Sequence, residues 1–371
     1  MLDGVRRSWL AVPVLALAMA GAACGGGDGA VALDAPRSDG PTDASLDGLG
    51  GPGIAPPATH PGEVVVPDGD RAVHLGLTPL VIRVDAAADD HVGFVLSFVG
   101  PGAGIELDLQ RWDGAAAQRL VTTDVGAGVR ALAALDPSGP RTFWFILHGP
   151  GPIDATLSIT RTTFVDADTC AADCGHLLQL PVAIDPAVDG YVHEPTTLFP
   201  YQFGRRDLIM MVRAAGRRMA TAGRGPLVPR DLSQRDGQTP GTDVGAPRHA
   251  SHQRGRDVDL SIYGIDDQAA WRAFCATQPA AAGLECVPGT LRNFGARATV
   301  HLYAGFLATG RTVAGFLDAE LIDAMVAAAP AAAQDGLIAA ALVPLLDDGV
   351  HLQHAANQYH HLHIRVSEVA P

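Results

Sequence analysis

Two short segments constrain this chain more than its bulk composition does. They are HASHQRGRDVDL, from His249 to Leu260, and HHLHIR, from His360 to Arg365. The first sets a His and an Asp seven residues apart, and the second adds a distant His-x-His. A fold that joins the two segments holds three ligands for one ion and leaves a fourth position open for water. The candidate ligands are His252, Asp259 and His363. Imidazole nitrogen and carboxylate oxygen are a donor set that suits zinc. Ligands on one helical turn sit three or four residues apart, so His252 and Asp259 cannot share one. Gly255 lies between them, where a chain turns sharply without a Cβ penalty. DVDLSIYG reads as a strand with Val258, Leu260 and Ile262 on one face and Asp257, Asp259 and Ser261 on the other. HLHIRV reads as a second strand, with His361 and His363 on a common face. Fourteen histidines occur in the chain, and His351, His354 and His360 crowd its C-terminal end. On spacing alone, a set of solvated histidines fits the pattern as well as a metal site does.

The residues Ser251, His252, Gly255 and Asp259, with Asp257 in an Asp-Val-Asp arrangement and His361-Leu362-His363 downstream, resemble the motifs of the penicillin-insensitive murein endopeptidases. That family is grouped with the D-Ala-D-Ala dipeptidases and the Hedgehog signalling domain. The likeness runs from about Gly175 to Arg365. It takes in FGRRDLIMMVRAAGRRM (Phe203 to Met219) as a helix and PLVPRDLSQRDG (Pro226 to Gly237) as a strand and Gly-rich loop. The resemblance implies an α+β zinc peptidase domain, a small antiparallel sheet with flanking helices. It implies one zinc ion per chain on His252, Asp259 and His363. His361 would hydrogen-bond the water or the oxyanion, and His249 would stand behind the ligands or face the substrate. Ser251 orders its own loop. One position departs from the family, which carries an acidic residue before His-x-His where this chain has His360. A neutral imidazole takes up a proton near pH 7, so His360 is the candidate general base. Asp347 and Asp348 are alternatives, and they also read as a polar turn before Gly349. The substrate implied is the peptide cross-link of bacterial peptidoglycan, of the D-Ala to diaminopimelate type. Two rival readings stay open: a non-catalytic, zinc-binding cell-wall scaffold lipoprotein, and a D-Ala-D-Ala carboxypeptidase or dipeptidase.

The N-terminus points to export. Arg6 and Arg7 precede an apolar run from Trp9 to Ala20 that is short for a membrane span, and GAAC follows. Residues 1–24 read as a lipoprotein signal peptide with Cys24 as the lipidated residue. That predicts a periplasmic protein anchored through lipid to the outer membrane. Residues 25–60, rich in Gly, Asp and Pro, read as a flexible linker. From 61 to 165, strand-length segments such as LVIRVDA, GFVLSFVG, IELDLQRW and RTFWFILHG alternate with turn residues and predict an all-β sandwich. Its Trp112 and Trp144 read as core residues before sugar-stacking ones. The zinc peptidase domain then occupies 166–371. Within it, Leu208 to Ala220 carries apolar residues at helical spacing. Asp318 to Ala329 reads as a helix capped by Asp318, with an Ala-rich continuation to Leu346 as a second helical layer. Cys170, Cys174, Cys275 and Cys286 make an even set in an exported chain, which predicts disulfides, paired locally as 170–174 and 275–286. A net charge of −14 with no basic stripe argues against nucleic acid as a partner.

Overall fold

The computed structural model describes residues 60–368, apart from 89, 101–103, 125, 127, 137, 165–173 and 195. The signal segment, Cys24, the linker to residue 59 and Cys170 lie outside the described residues. The chain is β-rich, with 37% strand against 21% helix. No helix among the described residues is long and apolar enough to cross a membrane.

Nine strands build the first half: β1 (Val64–Val65), β2 (Gly69–Leu75), β3 (Leu80–Ala86), β4 (Asp90–Phe98), β5 (Glu106–Trp112), β6 (Ala117–Thr123), β7 (Val129–Ala134), β8 (Arg141–His148) and β9 (Ile153–Thr163). They form a five-stranded sheet ordered β1-β3-β8-β5-β6 and a four-stranded sheet ordered β2-β9-β4-β7. Alternation along each strand turns one apolar face inward. Ile82, Val84, Leu107, Leu109, Phe143 and Phe145 of one sheet share a core with Phe94, Leu96, Leu132 and Leu157 of the other. Phe94 and Phe145 stack across it at 4.5 Å. Trp144 sits on the outer face of its sheet, buried against Val81 and Ile146 and donating Nε1–H to Glu63 at 2.9 Å.

The second half is centred on a five-stranded sheet that uses β12 (Asp257–Tyr263), β13 (Ala269–Ala270), β16 (Thr312–Leu317), β17 (Leu352–His354) and β18 (His361–Val366) in the order β13-β12-β18-β16-β17. It is mixed and not purely antiparallel, because β16 and β17 run parallel. Two further strands, β10 (Leu177–Gln179) and β11 (Phe203–Arg205), pair with each other. Strands β14 (Thr277–Ala280) and β15 (Gly283–Cys286) form a hairpin closed by a Cys275–Cys286 disulfide. Cys174 is also disulfide-bonded. The helices are α1 (Pro186–Asp189), α2 (Arg206–Thr221), α3 (Ala296–Leu307) and α4 (Ala319–Gln334). Asp318 caps α4 by accepting the Glu320 N–H. The Ala-rich stretch beyond it does not continue as a helical layer. The helix stops at Gln334, and only the short 3-10 turns Ala340–Leu342 and Pro344–Leu346 follow. Gly336, in the left-handed region at φ 72°, terminates it. Helix α3, buried through most of its length, was not foreseen, because apolar residues all round leave no amphipathic stripe to read.

The two halves cluster as one compact unit. The outer face of β4 and β7 meets the second half through Val95, Ala131 and Phe203. Val182 N–H donates to the Ala133 carbonyl at 2.9 Å, and His91 Nε2 bonds the Gln179 carbonyl at 2.7 Å.

Candidate metal centre

The central strand pair sets the site. β12 and β18 run antiparallel, with Asp259 opposite His363, Ser261 opposite His361 and Asp257 opposite Arg365. Because side chains alternate, these six residues share one face, and Val258, Leu260, Leu362 and Ile364 pack into the apolar core on the other. The polar face is buried too: every residue of β12 is inaccessible to solvent. A buried row of carboxylates and imidazoles is costly unless its members satisfy each other or bind an ion.

The preceding loop supplies His252. Gly255 makes the approach possible with φ 64°, since a Cβ there would stand 2.5 Å from the Leu177 side chain and 2.7 Å from the Arg205 backbone nitrogen. His252 itself holds φ 65° and Arg254 φ 58°, a left-handed conformation uncommon for side-chain-bearing residues and typical of functional loops. His252 is wholly buried, and its Nδ1–H donates to the Leu232 carbonyl at 2.8 Å. The His363 Nε2–H donates to Asp257 at 2.9 Å, and Arg365 Nε donates to the same oxygen at 2.7 Å. These acceptors assign the tautomers and leave a lone pair on His252 Nε2 and on His363 Nδ1.

The free donor atoms converge. His252 Nε2 lies 3.2 Å from His363 Nδ1 and 3.3 Å from Asp259 Oδ1, and His363 Nδ1 lies 3.0 Å from Asp259 Oδ1. A tetrahedral ion bound at about 2.0–2.1 Å separates its ligand atoms by about 3.3 Å. At this separation two imidazole nitrogens and a carboxylate need a shared cation, either a proton on His363 or a metal ion. Asp259 Oδ1 is within ion-pair range of three imidazoles, those of His252, His361 and His363.

The titration behaviour follows from that crowding. Burial would raise the Asp259 carboxyl, but the His252 and His361 imidazoles overcome it and hold the group well below the usual carboxylate range. Burial would lower the His363 imidazole, but Asp257 and Asp259 lift it to about 9, so without an ion a proton occupies the centre. Burial also drives His361 down to about 4, against the pull of Asp259, so its ring is neutral near pH 7. His360 is lowered by burial as well.

His249, His252 and Asp259 also offer ligand atoms that all lie within 4.8 Å of one another, so this cluster can hold a metal ion. His249 is less committed to it. Its Nε2 bonds Asp231 at 2.7 Å, its Nδ1 stands 3.9 Å from Asp259 Oδ2, and its ring lies beside that of His252 at 4.3 Å.

Around the cluster stand residues that spacing did not single out. Asp231 holds His249 and Arg248. Trp271 lies nearly parallel to His361, with ring centres 4.8 Å apart, and Arg230 covers Trp271 at 4.3 Å. His361 Nε2 is buried, lacks a hydrogen-bond partner, and points 3.6 Å from Asp259 Oδ1. His360 sits outside this shell, packed edge-on against Trp271 and beside Tyr359. Asp348 closes its own turn by accepting the Val350 and His351 N–H groups and pairs with the His351 ring, while His354 meets Glu285. None of those three side chains reaches the centre. Asp231 lay within the segment read as a strand before the first motif, and nothing in its spacing marked it. Trp271 had no sequence signal at all.

No family model matches the chain, and no curated protein matches it. Among solved structures, it is similar to the periplasmic inhibitor of g-type lysozyme PliG from Aeromonas hydrophila, at 13% identity over 26% of this chain and 96% of that one, with a TM-score of 0.20. It is also similar to the pre-peptidase C-terminal domain of a collagenase from Bacillus anthracis, at 10% identity over 26% of this chain and 94% of that one, again with a TM-score of 0.20.

Proposed function

We propose that this chain is a zinc-dependent endopeptidase that hydrolyses the peptide cross-links of bacterial peptidoglycan, of the D-Ala to diaminopimelate type. The observation that carries the reading is the inward convergence of His252 Nε2, Asp259 Oδ1 and His363 Nδ1 at 3.0–3.3 Å, with both imidazoles oriented from behind by fixed acceptors. The motif resemblance of Ser251 to Asp259 and His361 to His363 supports the substrate class. In this reading the zinc peptidase fold spans 166–371, and the sandwich over 61–165 is an accessory domain. The protein is exported and held at the outer membrane through Cys24.

His252, Asp259 and His363 would hold the ion, and His249 stays bonded to Asp231 beside them. Zinc bound there supplies an acidified water and a Lewis acid for the scissile carbonyl. The chain does the rest. His361 presents a neutral, unpartnered imidazole nitrogen to the centre and donates to the oxygen that gains charge. The stack with Trp271 fixes the angle of that ring. His360, packed further out against Trp271, would be the residue that carries a proton to the leaving amine.

A digest of purified cross-linked muropeptides tests the reading. Wild type converts dimers to monomers and holds about one zinc per chain, while His363→Ala does neither and chelation stops the wild type. His360→Ala retains zinc and loses turnover. A protein that binds zinc and cleaves no muropeptide is instead the cell-wall scaffold, and one that releases only terminal D-Ala is a carboxypeptidase.

A further inference from the structure

A cavity of about 360 Å³ lies where the sandwich meets the second half, apart from the metal cluster. Val95, Ser97 and Val129 line it from β4 and β7, and Tyr201, Phe203 and Gln234 line it from the other side. We propose that it is a saccharide subsite that takes one amino-sugar ring of the glycan bearing the cross-linked peptide. The proposal rests on the cell-wall reading above and assigns the sandwich a part in substrate binding.

Three observations carry it. The volume is near the low end of small-ligand pockets, about 300–1,000 Å³, so it admits one ring and not a folded polymer. The lining is divided by chemistry. Val95, Val129 and Phe203 pack together as its apolar part, while Ser97, Gln234, Arg235 and Asp243 bring hydroxyl, amide, guanidinium and carboxylate groups to the lining. A pyranose has the same division, a C–H face and a hydroxyl edge. A free peptide carboxylate would meet Asp236 and Asp243 against the single cation Arg235. Part of this polar lining is held before any ligand arrives, because Tyr201 Oη–H and Gln234 Nε2–H both donate to Asp243, at 2.9 and 2.8 Å.

The cavity connects to the metal centre through a run of contacts. Arg248 lies over the Tyr201 ring at 5.8 Å and donates to Asp231 at 3.2 Å, and Asp231 holds His249 at 2.7 Å. The Tyr201 side of the cavity is thus tied through Arg248 and Asp231 to His249, beside the candidate ligands.

The test uses the intact chain and triacetylchitotriose, a sugar probe with no peptide, followed by calorimetric titration. Wild type and His363→Ala are expected to bind it with equal affinity, and Ser97→Trp, which fills the cavity from the sandwich side, at least tenfold more weakly with an unchanged melting temperature. If Ser97→Trp does not fold, amide exchange on wild type decides, with protection by the sugar expected on β4 and around residues 199–203. Absence of wild-type binding, affinity unchanged in a folded Ser97→Trp, protection elsewhere, or binding of a sugar-free stem peptide in this cavity would each overturn the proposal. Because the probe has no scissile bond, these outcomes are independent of whether muropeptides are cleaved.

Discussion

Two buried carboxylates, one in each half, show how differently the same group can be used. Asp136 at the end of β7 is enclosed by donors: it accepts from the Ser138 backbone and hydroxyl, from Arg141 Nε at 2.9 Å and from Arg111 at 3.3 Å. Burial would raise it, and the Ser138 and Arg141 bonds more than reverse that. Asp259 is just as deeply buried, yet its neighbours are imidazoles, two of which have their proton turned outward to other acceptors. Satisfied burial belongs to architecture. Donor atoms of two imidazoles and a carboxylate converging on one point are what the proposed cation site requires.

The largest effects should separate these two uses. Asp136→Ala removes the acceptor shared by Ser138, Arg111 and Arg141 and is expected to cost about 2–3 kcal/mol in denaturant unfolding, with zinc content unchanged. Asp259→Asn should remove nearly all bound zinc and all turnover, measured by metal analysis of dialysed protein and by the muropeptide digest. The contrast breaks if Asp259→Asn keeps its zinc, or if Asp136→Ala loses it.

The half-to-half contact gives an effect of intermediate size that depends on pH. His91 in β4 is buried against Phe164, and burial lowers its pKa to about 4, against the pull of the Gln179 carbonyl. The unfolded chain titrates near 6.5, so between about 6.5 and 4 the unfolded state binds the extra proton. Stability from this group is therefore complete above pH 6.5 and declines as pH falls toward 4, by up to about 3 kcal/mol. His91→Gln keeps a donor for the Gln179 carbonyl and cannot titrate. Its unfolding free energy, subtracted from that of wild type at each pH, should show that slope across the window. A flat difference would mean that the ring is solvated and not locked between the halves.

How far the sequence reveals this arrangement depends on the range of the forces involved. Period-2 alternation exposed LVIRVDA, GFVLSFVG and RTFWFILHG as strands, since each needs only its own inward face. The signal is weaker in β6 and β7, where AQRLVTT and VRALAA lack a clean alternation of large apolar residues. The two strands that carry the candidate ligands are legible because Asp257, Asp259, His361 and His363 fall on alternate positions. Their register, Asp259 against His363, is a tertiary fact that spacing only permits. The left-handed His252 was half legible: Gly255 announced the turn, but the strain falls on a residue chosen for its imidazole. Asp231, Trp271 and the wall from Tyr201 to Arg248 come from segments far apart in the chain, and no local pattern points to them. Cys275 and Cys286 pair as their spacing suggested, because a hairpin brings residues eleven apart face to face.

The smallest predicted effect also refines the comparison, since Asp257 lies between the two uses. Its Oδ1 accepts from two donors, as the Asp136 carboxylate does from several, yet one of those donors is the candidate ligand His363. Asp257→Asn keeps an oxygen that can accept from His363 Nε2 and removes the charge that raises the basicity of the ring. The fold should survive, because Arg365 is partly exposed and can be hydrated. Zinc affinity, measured by competition with a chromophoric chelator, should fall about 10–100-fold, the usual cost of losing the partner behind a ligand histidine. Asp257→Leu removes the acceptor as well and should fall further. If both variants bind zinc as wild type does, Asp257 belongs with Asp136 as a structural carboxylate, and His363 owes its orientation to the β12–β18 register alone.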